Sequence, residues 1–79
     1  MLVQIDEYTT INLDQVVVIF KRDKTEDEDA AFLFFLADGN RVRARFEDAH
    51  LRDLALTKIM TDYQGDCKYC DITEYVKKG

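Results

Sequence analysis

Ala30-Ala31-Phe32-Leu33-Phe34-Phe35-Leu36-Ala37 is followed by Asp38-Gly39-Asn40 and then by Arg41-Val42-Arg43-Ala44-Arg45-Phe46. An apolar run, a turn signal and an alternating run spell a β-hairpin. The two arms differ in kind. The second alternates as a half-buried strand does, whereas the first is apolar throughout, as a strand covered on both faces is. A two-residue turn would put Leu33 and Phe35 beside Val42, Ala44 and Phe46, and Phe32, Phe34 and Leu36 beside the arginines. A three-residue turn, Ala37-Asp38-Gly39 with Gly39 left-handed, instead puts Phe32, Phe34, Leu36, Val42, Ala44 and Phe46 on one face. It leaves Ala31, Leu33, Phe35 and Ala37 with Arg41, Arg43 and Arg45 on the other. The second register makes one clean core face and is the one favoured.

Working outward, Val16-Val17-Val18-Ile19-Phe20 is a β-branched strand that also calls for cover on both sides. Between it and the hairpin, residues 21–29 read KRDKTEDED, an exposed acidic loop without an apolar anchor. Upstream, Leu2–Asp6 reads as a short strand and Tyr8–Leu13 as a second piece. Downstream, a helix is expected over about Glu47–Tyr63, with Leu51, Leu54, Ala55, Ile59 and Tyr63 as its core stripe and Gly65 as its stop. The tail, residues 66–79, is expected to add a short strand around Ile72–Val76 or an arm that packs on a partner.

Strands first and a helix after them predict the α+β class. The expected form is a small curved antiparallel β-sheet of four to six strands, packed on one α-helix in the C-terminal half, as a single domain over residues 1–79. One helix covers one face of such a sheet. The other face is left for a partner, most simply a second copy of the chain.

Bulk properties agree with self-association. A chain of 79 residues buries only about 60–65% of its unfolded surface, so it is marginal without a disulfide, a metal or oligomerisation. Two cysteines allow at most one disulfide, while 47% hydrophobic content is ample for a core. Sixteen acidic against 11 basic residues give a formal net charge of −5, which disfavours nucleic acid as a partner. The N-terminal residues lack the pattern of a signal peptide, and no run approaches the ~18 apolar residues of a membrane span. The expectation is a cytoplasmic protein with reduced thiols and no membrane partner.

Cys67-x-x-Cys70 is the one motif with a chemical identity: two thiolates at this spacing can share a metal or close a disulfide ring. A structural zinc needs four ligands. The single histidine, His50, lies at the far end of the helix, about 25 Å away on helix rise. Asp66 and Asp71 flank the cysteines, and neighbouring negative charge disfavours the reactive thiolate that a redox motif needs. Packing is the ordinary role for such cysteines, and they stand only as weak metal candidates. No catalytic residue is assigned, since the chain has no serine and no glycine-rich phosphate loop. The expected function is a non-enzymatic protein-interaction or regulatory module, acting as a homodimer without a cofactor and capable of binding another protein. Its interface is assigned to Leu33, Phe35, Arg41, Arg43, Arg45, Tyr69 and Tyr75, with tyrosine and arginine favoured at such surfaces. The alternatives are a metal-linked or thiol-sensing protein using Cys67 and Cys70, or an acidic inhibitor of a nucleic-acid-binding partner.

Overall fold

In the computed structural model, which describes residues 1–78, the hairpin has the three-residue turn. Gly39 adopts φ 90°, a left-handed conformation that glycine takes without steric cost. Its N–H donates to the Leu36 carbonyl at 3.0 Å, and the Leu36 N–H donates to the Asn40 carbonyl at 2.8 Å. The Asp38 carboxylate holds the turn by accepting from the Asn40 N–H and from its side-chain amide, both at 2.9 Å. Strands β4 (Ala30–Leu36) and β5 (Arg41–Phe46) therefore pair Phe34 with Val42, Phe32 with Ala44 and Ala30 with Phe46. Strand β3 (Val16–Arg22) completes this sheet on the far side of β4, with Ile19 opposite Phe34 and Phe20 opposite Leu33.

The single curved sheet expected from the sequence is instead two three-stranded sheets, β3-β4-β5 and β2-β1-β6. The break lies between β2 (Thr9–Asn12) and β3. The Asn12 side chain accepts the Asp14 N–H at 3.0 Å and caps a 3-10 turn over Leu13–Gln15. That turn redirects the chain before the two strands can pair. Strand β1 (Leu2–Asp6) thus has a free side, and β6 (Tyr69–Asp71) fills it in the parallel sense, Val3 against Cys70. The sheet system is accordingly not purely antiparallel. The tail strand lies at 69–71 and not at 72–76, because the Asp71 carboxylate accepts the Thr73 N–H at 2.8 Å and its hydroxyl at 2.6 Å. These bonds turn the chain immediately after β6.

Helix α1 (Ala49–Gln64) is capped by Asp48, whose side chain accepts the Leu51 N–H at 2.9 Å. Past its C-terminal cap, Gly65, the left-handed residue is Asp66 at φ 58°. The helix packs on β4, β5 and β6. Its buried face is Arg52, Ala55 and Ile59. Leu54 and Tyr63, expected in the core stripe, are 39% and 56% exposed. Leu54 lies about 140° around the helix from Ile59 (five residues at ~100° each), so it turns outward once Ile59 faces the core. Tyr63 sits in the last turn of the helix. Both sheets and the helix supply one apolar cluster, in which Phe32, Phe34 and Phe46 from β4–β5 meet Val3, Ile5 and Ile11 from β1–β2, with Cys70 and Ile72.

Arg52 is the one buried charged residue among the described residues, 3% exposed. Its Nη1 donates to the Arg22 carbonyl and to Asp23 Oδ1, each at 2.8 Å. Its Nε and Nη2 donate to Asp53 Oδ1 at 3.1 and 3.0 Å. The side chain thereby ties the end of β3 and the start of the acidic loop to the helix. Hydrogen bonding from Arg52, more than its charge alone, holds the Asp23 carboxyl below its ordinary range.

Two outcomes are expected in chemical denaturation. Phe34→Ala removes a side chain with no exposed surface and should cost about 3–5 kcal/mol, close to the whole stability of a small domain. Arg52→Ala should cost about 1.5–3 kcal/mol through lost charge-assisted hydrogen bonds. A loss within experimental error for Arg52→Ala would show that its ties carry no stability.

Candidate functional site

Side chains alternate across a sheet, so the register that buries Phe32 and Phe34 turns their neighbours outward. On the outer face of β3-β4-β5, Val18 lies opposite Phe35 and Phe20 opposite Leu33. Arg41 and Arg43 lie opposite Phe35 and Leu33 on the other side. The result is two columns of apolar side chains bordered by a column of arginines. Phe20 is 56% exposed, Val18 43%, and Val17, bulged out of the ladder between Val16 and Val18, 65%. The Phe20 and Phe35 rings meet edge to face, with centroids 5.5 Å apart.

One end of this face is closed by charge. Ala31 lies on the outer face between Arg22 and Arg45 yet has no exposed surface. Arg22 pairs with Glu28 at 2.9 Å, and its guanidinium also donates to the Asp29 carbonyl at 3.3 and 3.2 Å. The Asp29 carboxylate takes Lys77 Nζ at 3.2 Å and lies 4.0 Å from Arg45. The Lys77 N–H donates to the Arg45 carbonyl at 2.7 Å, laying the C-terminal segment along the outer edge of β5. Within residues 21–29, Lys21 and Arg22 thus belong to β3, residues 23–28 are exposed, and Asp29 is partly buried.

Five of the seven interface residues expected from sequence, Leu33, Phe35, Arg41, Arg43 and Arg45, share this face. The two tyrosines do not join them. Tyr69 is on β6 in the other sheet, where its hydroxyl donates to Gln4 Oε1. Tyr75 packs against the apolar cluster. Conversely, Val18 and Phe20 complete the face and were not singled out in the sequence. The available signal was parity: once Ile19 is taken as inward, the residues on either side of it turn out.

Cys67 and Cys70 are both free thiols, the first exposed and the second buried. Cys70 sits mid-strand in β6 opposite Val3, so its sulphur points into the core while Cys67 lies before the strand. Burial, reinforced by the Asp62 carboxylate, pushes the Cys70 thiol up to about 12. A shared metal requires two thiolates on one accessible surface, and this geometry offers one. Among the described residues no group of three or more His, Cys, Asp or Glu converges on a metal position. His50 is exposed in the first turn of α1. A cavity of about 970 Å³ is an open groove where the β1–β2 turn, β5 and the C-terminal segment meet, with Glu7, Tyr8, Arg43 and Lys77 in its walls.

Comparison with known protein families, with curated proteins and with solved structures found no match. No helix among the described residues is long and apolar enough to cross a membrane.

Thiol chemistry tests the placement of the cysteines. One thiol per native chain, Cys67, should react rapidly with a disulfide reagent, and both should react in denaturant. Because the folded Cys70 pKa is raised from 9.0 to about 12, its contribution to stability is fully present below pH 9 and is lost as pH climbs towards 12. Denaturation midpoints across that window should fall more steeply for the native sequence than for Cys70→Ala. Equal reactivity of the two thiols in the native state would contradict the assignment.

Proposed function

We propose that the chain is a non-enzymatic protein-interaction module that acts as a homodimer through the outer face of β3-β4-β5. The observation that carries this reading is the contiguous group of Val18, Phe20, Leu33 and Phe35 on a sheet face whose opposite side is already packed. Apolar clusters rimmed by polar side chains are typical of association surfaces. Arginine at the border matches the composition of interfaces, where Arg and aromatic residues are enriched. A second copy also supplies the extra buried surface that a domain of this size needs. The reading places the protein in the cytoplasm, where free thiols stay reduced, and gives it no cofactor.

The face is small. Three strands about 4.8 Å apart, each carrying about six residues at ~3.3 Å, give a footprint of about 280 Å² in projection. This is well below the ~800 Å² per partner of standard stable interfaces, so micromolar affinity is expected.

Sedimentation velocity across the micromolar range should show a shift from the 9.2 kDa chain to twice that mass. Phe20→Ser, at a position 56% exposed, should weaken the dimer at least tenfold while leaving monomer stability within about 0.5 kcal/mol, as for other surface changes. A monomer throughout the range would overturn the reading.

A further inference from the structure

We propose that the outer edge of β5 receives an extended acidic peptide by strand addition, with an acidic side chain set opposite Arg43. In an antiparallel ladder, pairs that exchange hydrogen bonds alternate with pairs that do not. The Leu36 N–H donates to the Asn40 carbonyl, so in a register that sets Phe34 opposite Val42 and Phe32 opposite Ala44 these are the bonded pairs. Arg41, Arg43 and Arg45 consequently direct their N–H and C=O groups away from β4. Strand β5 ends its sheet. Among the described residues, the one backbone bond that reaches this edge from elsewhere runs from the Lys77 N–H to the Arg45 carbonyl. The N–H and C=O of Arg43 are left open. An edge of this kind is a template for a further strand.

There is room for one. The groove of about 970 Å³ lies along this edge, with Arg43 and Arg45 on one side and the β1–β2 turn on the other. The opposite edge of the sheet is less suited, since the β3 ladder is bulged at Val17 and bulges keep edges from pairing.

The side chains of β5 select the occupant. Arg41, Arg43 and Arg45 share the outer face, so a strand added here meets a guanidinium at every second position. Arg45 lies 4.0 Å from Asp29, and Arg41 has Asp38 three residues away. Arg43 lies between these two arginines, opposite the apolar Leu33, and makes no ion pair among the described residues. Asp27 lines a nook with it without pairing to it. A second copy adding its own β5 is disfavoured. Antiparallel pairing about a two-fold axis would set arginine against arginine, and like charges directly opposite destabilise. A glutamate or aspartate opposite Arg43 makes a favourable cross-strand pair instead and exchanges both backbone bonds with it. The residues on either side of that acid face inward, where Ile5 and Val76 line the groove, and are apolar. Asp6 and Glu7 stand on the far wall, so selection comes from the arginine row and not from the net charge of the groove. Strand addition lies in the plane of the sheet and leaves the outer face clear, so this site is independent of the homodimer reading.

Titration of the isotope-labelled chain with capped peptides, followed through amide chemical shifts, tests the site. A peptide alternating valine with glutamate is the probe, and its glutamine counterpart is the control. The glutamate peptide should shift the amides of Arg41, Arg43 and Arg45. It should bind about fivefold or more tightly than the glutamine peptide, as opposite-charge cross-strand pairs allow. N-methylation of its glutamates removes the donors that face β5 and should abolish binding, whereas association through charge alone would survive it. Arg43→Glu, at an exposed position, should keep the native spectrum elsewhere and prefer the corresponding lysine peptide. No binding at millimolar peptide, equal binding of the glutamate and glutamine peptides, or binding that survives N-methylation would each overturn the proposal. Shifts confined to Val18, Phe20 and Phe35 would overturn it too, by placing the peptide on the face and not at the edge.

Discussion

Everything in this molecule depends on the register of one hairpin, and that register depends on the backbone angle of Gly39. Three turn residues rather than two decide which side of β4 faces the helix. A slip of one position would put Arg41, Arg43 and Arg45 on the same face as Phe32 and Phe34, so that either the arginines enter the core or the phenylalanines leave it. The core is built on the chosen side: the phenylalanines of β4 and β5 set the platform on which Ala55 and Ile59 land. The outer face is the unavoidable counterpart of the same choice, because a run apolar at every position must show half of its side chains on the side away from the core. The exposed apolar face is thus a by-product of how the core is specified.

That constraint was legible because it is local. Phe32, Phe34 and Leu36 on one arm and Val42, Ala44 and Phe46 on the other can be matched on paper, and only one turn length matches them. The helix was legible in position but not in detail. Arg52 in an apolar stripe reads as a residue destined for water. Its burial follows from partners distant in sequence, the carbonyl at the end of β3 and the carboxylate after it, which periodicity does not register. Leu54 and Tyr63 were misplaced for the complementary reason: apolar spacing alone does not fix which side of a helix meets the sheet. The division into two sheets was hidden in the Asn12 cap and the short 3-10 turn. The parallel pairing of β6 was hidden in its distance along the chain from β1.

The candidate site shows the same division. The arginines and the outward residues of β4 followed from the hairpin. Val18 and Phe20 needed the β3–β4 register as well. The CxxC spacing, the most recognisable string in the sequence, was the least informative. Alternation along β6 sends Cys70 inward, so one thiol is buried and the other exposed despite lying three positions apart. The acidic loop, which reads as featureless, proves to be organised at its base: Asp29 gathers the C-terminal segment and the last arginine of β5, and Asp23 is held by the helix.

The pairing of β1 with β6 bears on how the chain is made. During synthesis β1 emerges early and can find β2 at once, but a two-stranded hairpin is barely stable by itself. The strand that belongs on its other side arrives only after the hairpin and the helix have been translated. Until then the backbone of Leu2, Val3 and Gln4 offers an open template to any extended segment nearby. Closure of this sheet is a long-range event of the kind that slows folding. The nascent chain therefore passes through a period in which its most vulnerable edge is the one it exposed first, and premature termination before Tyr69 would make that exposure permanent.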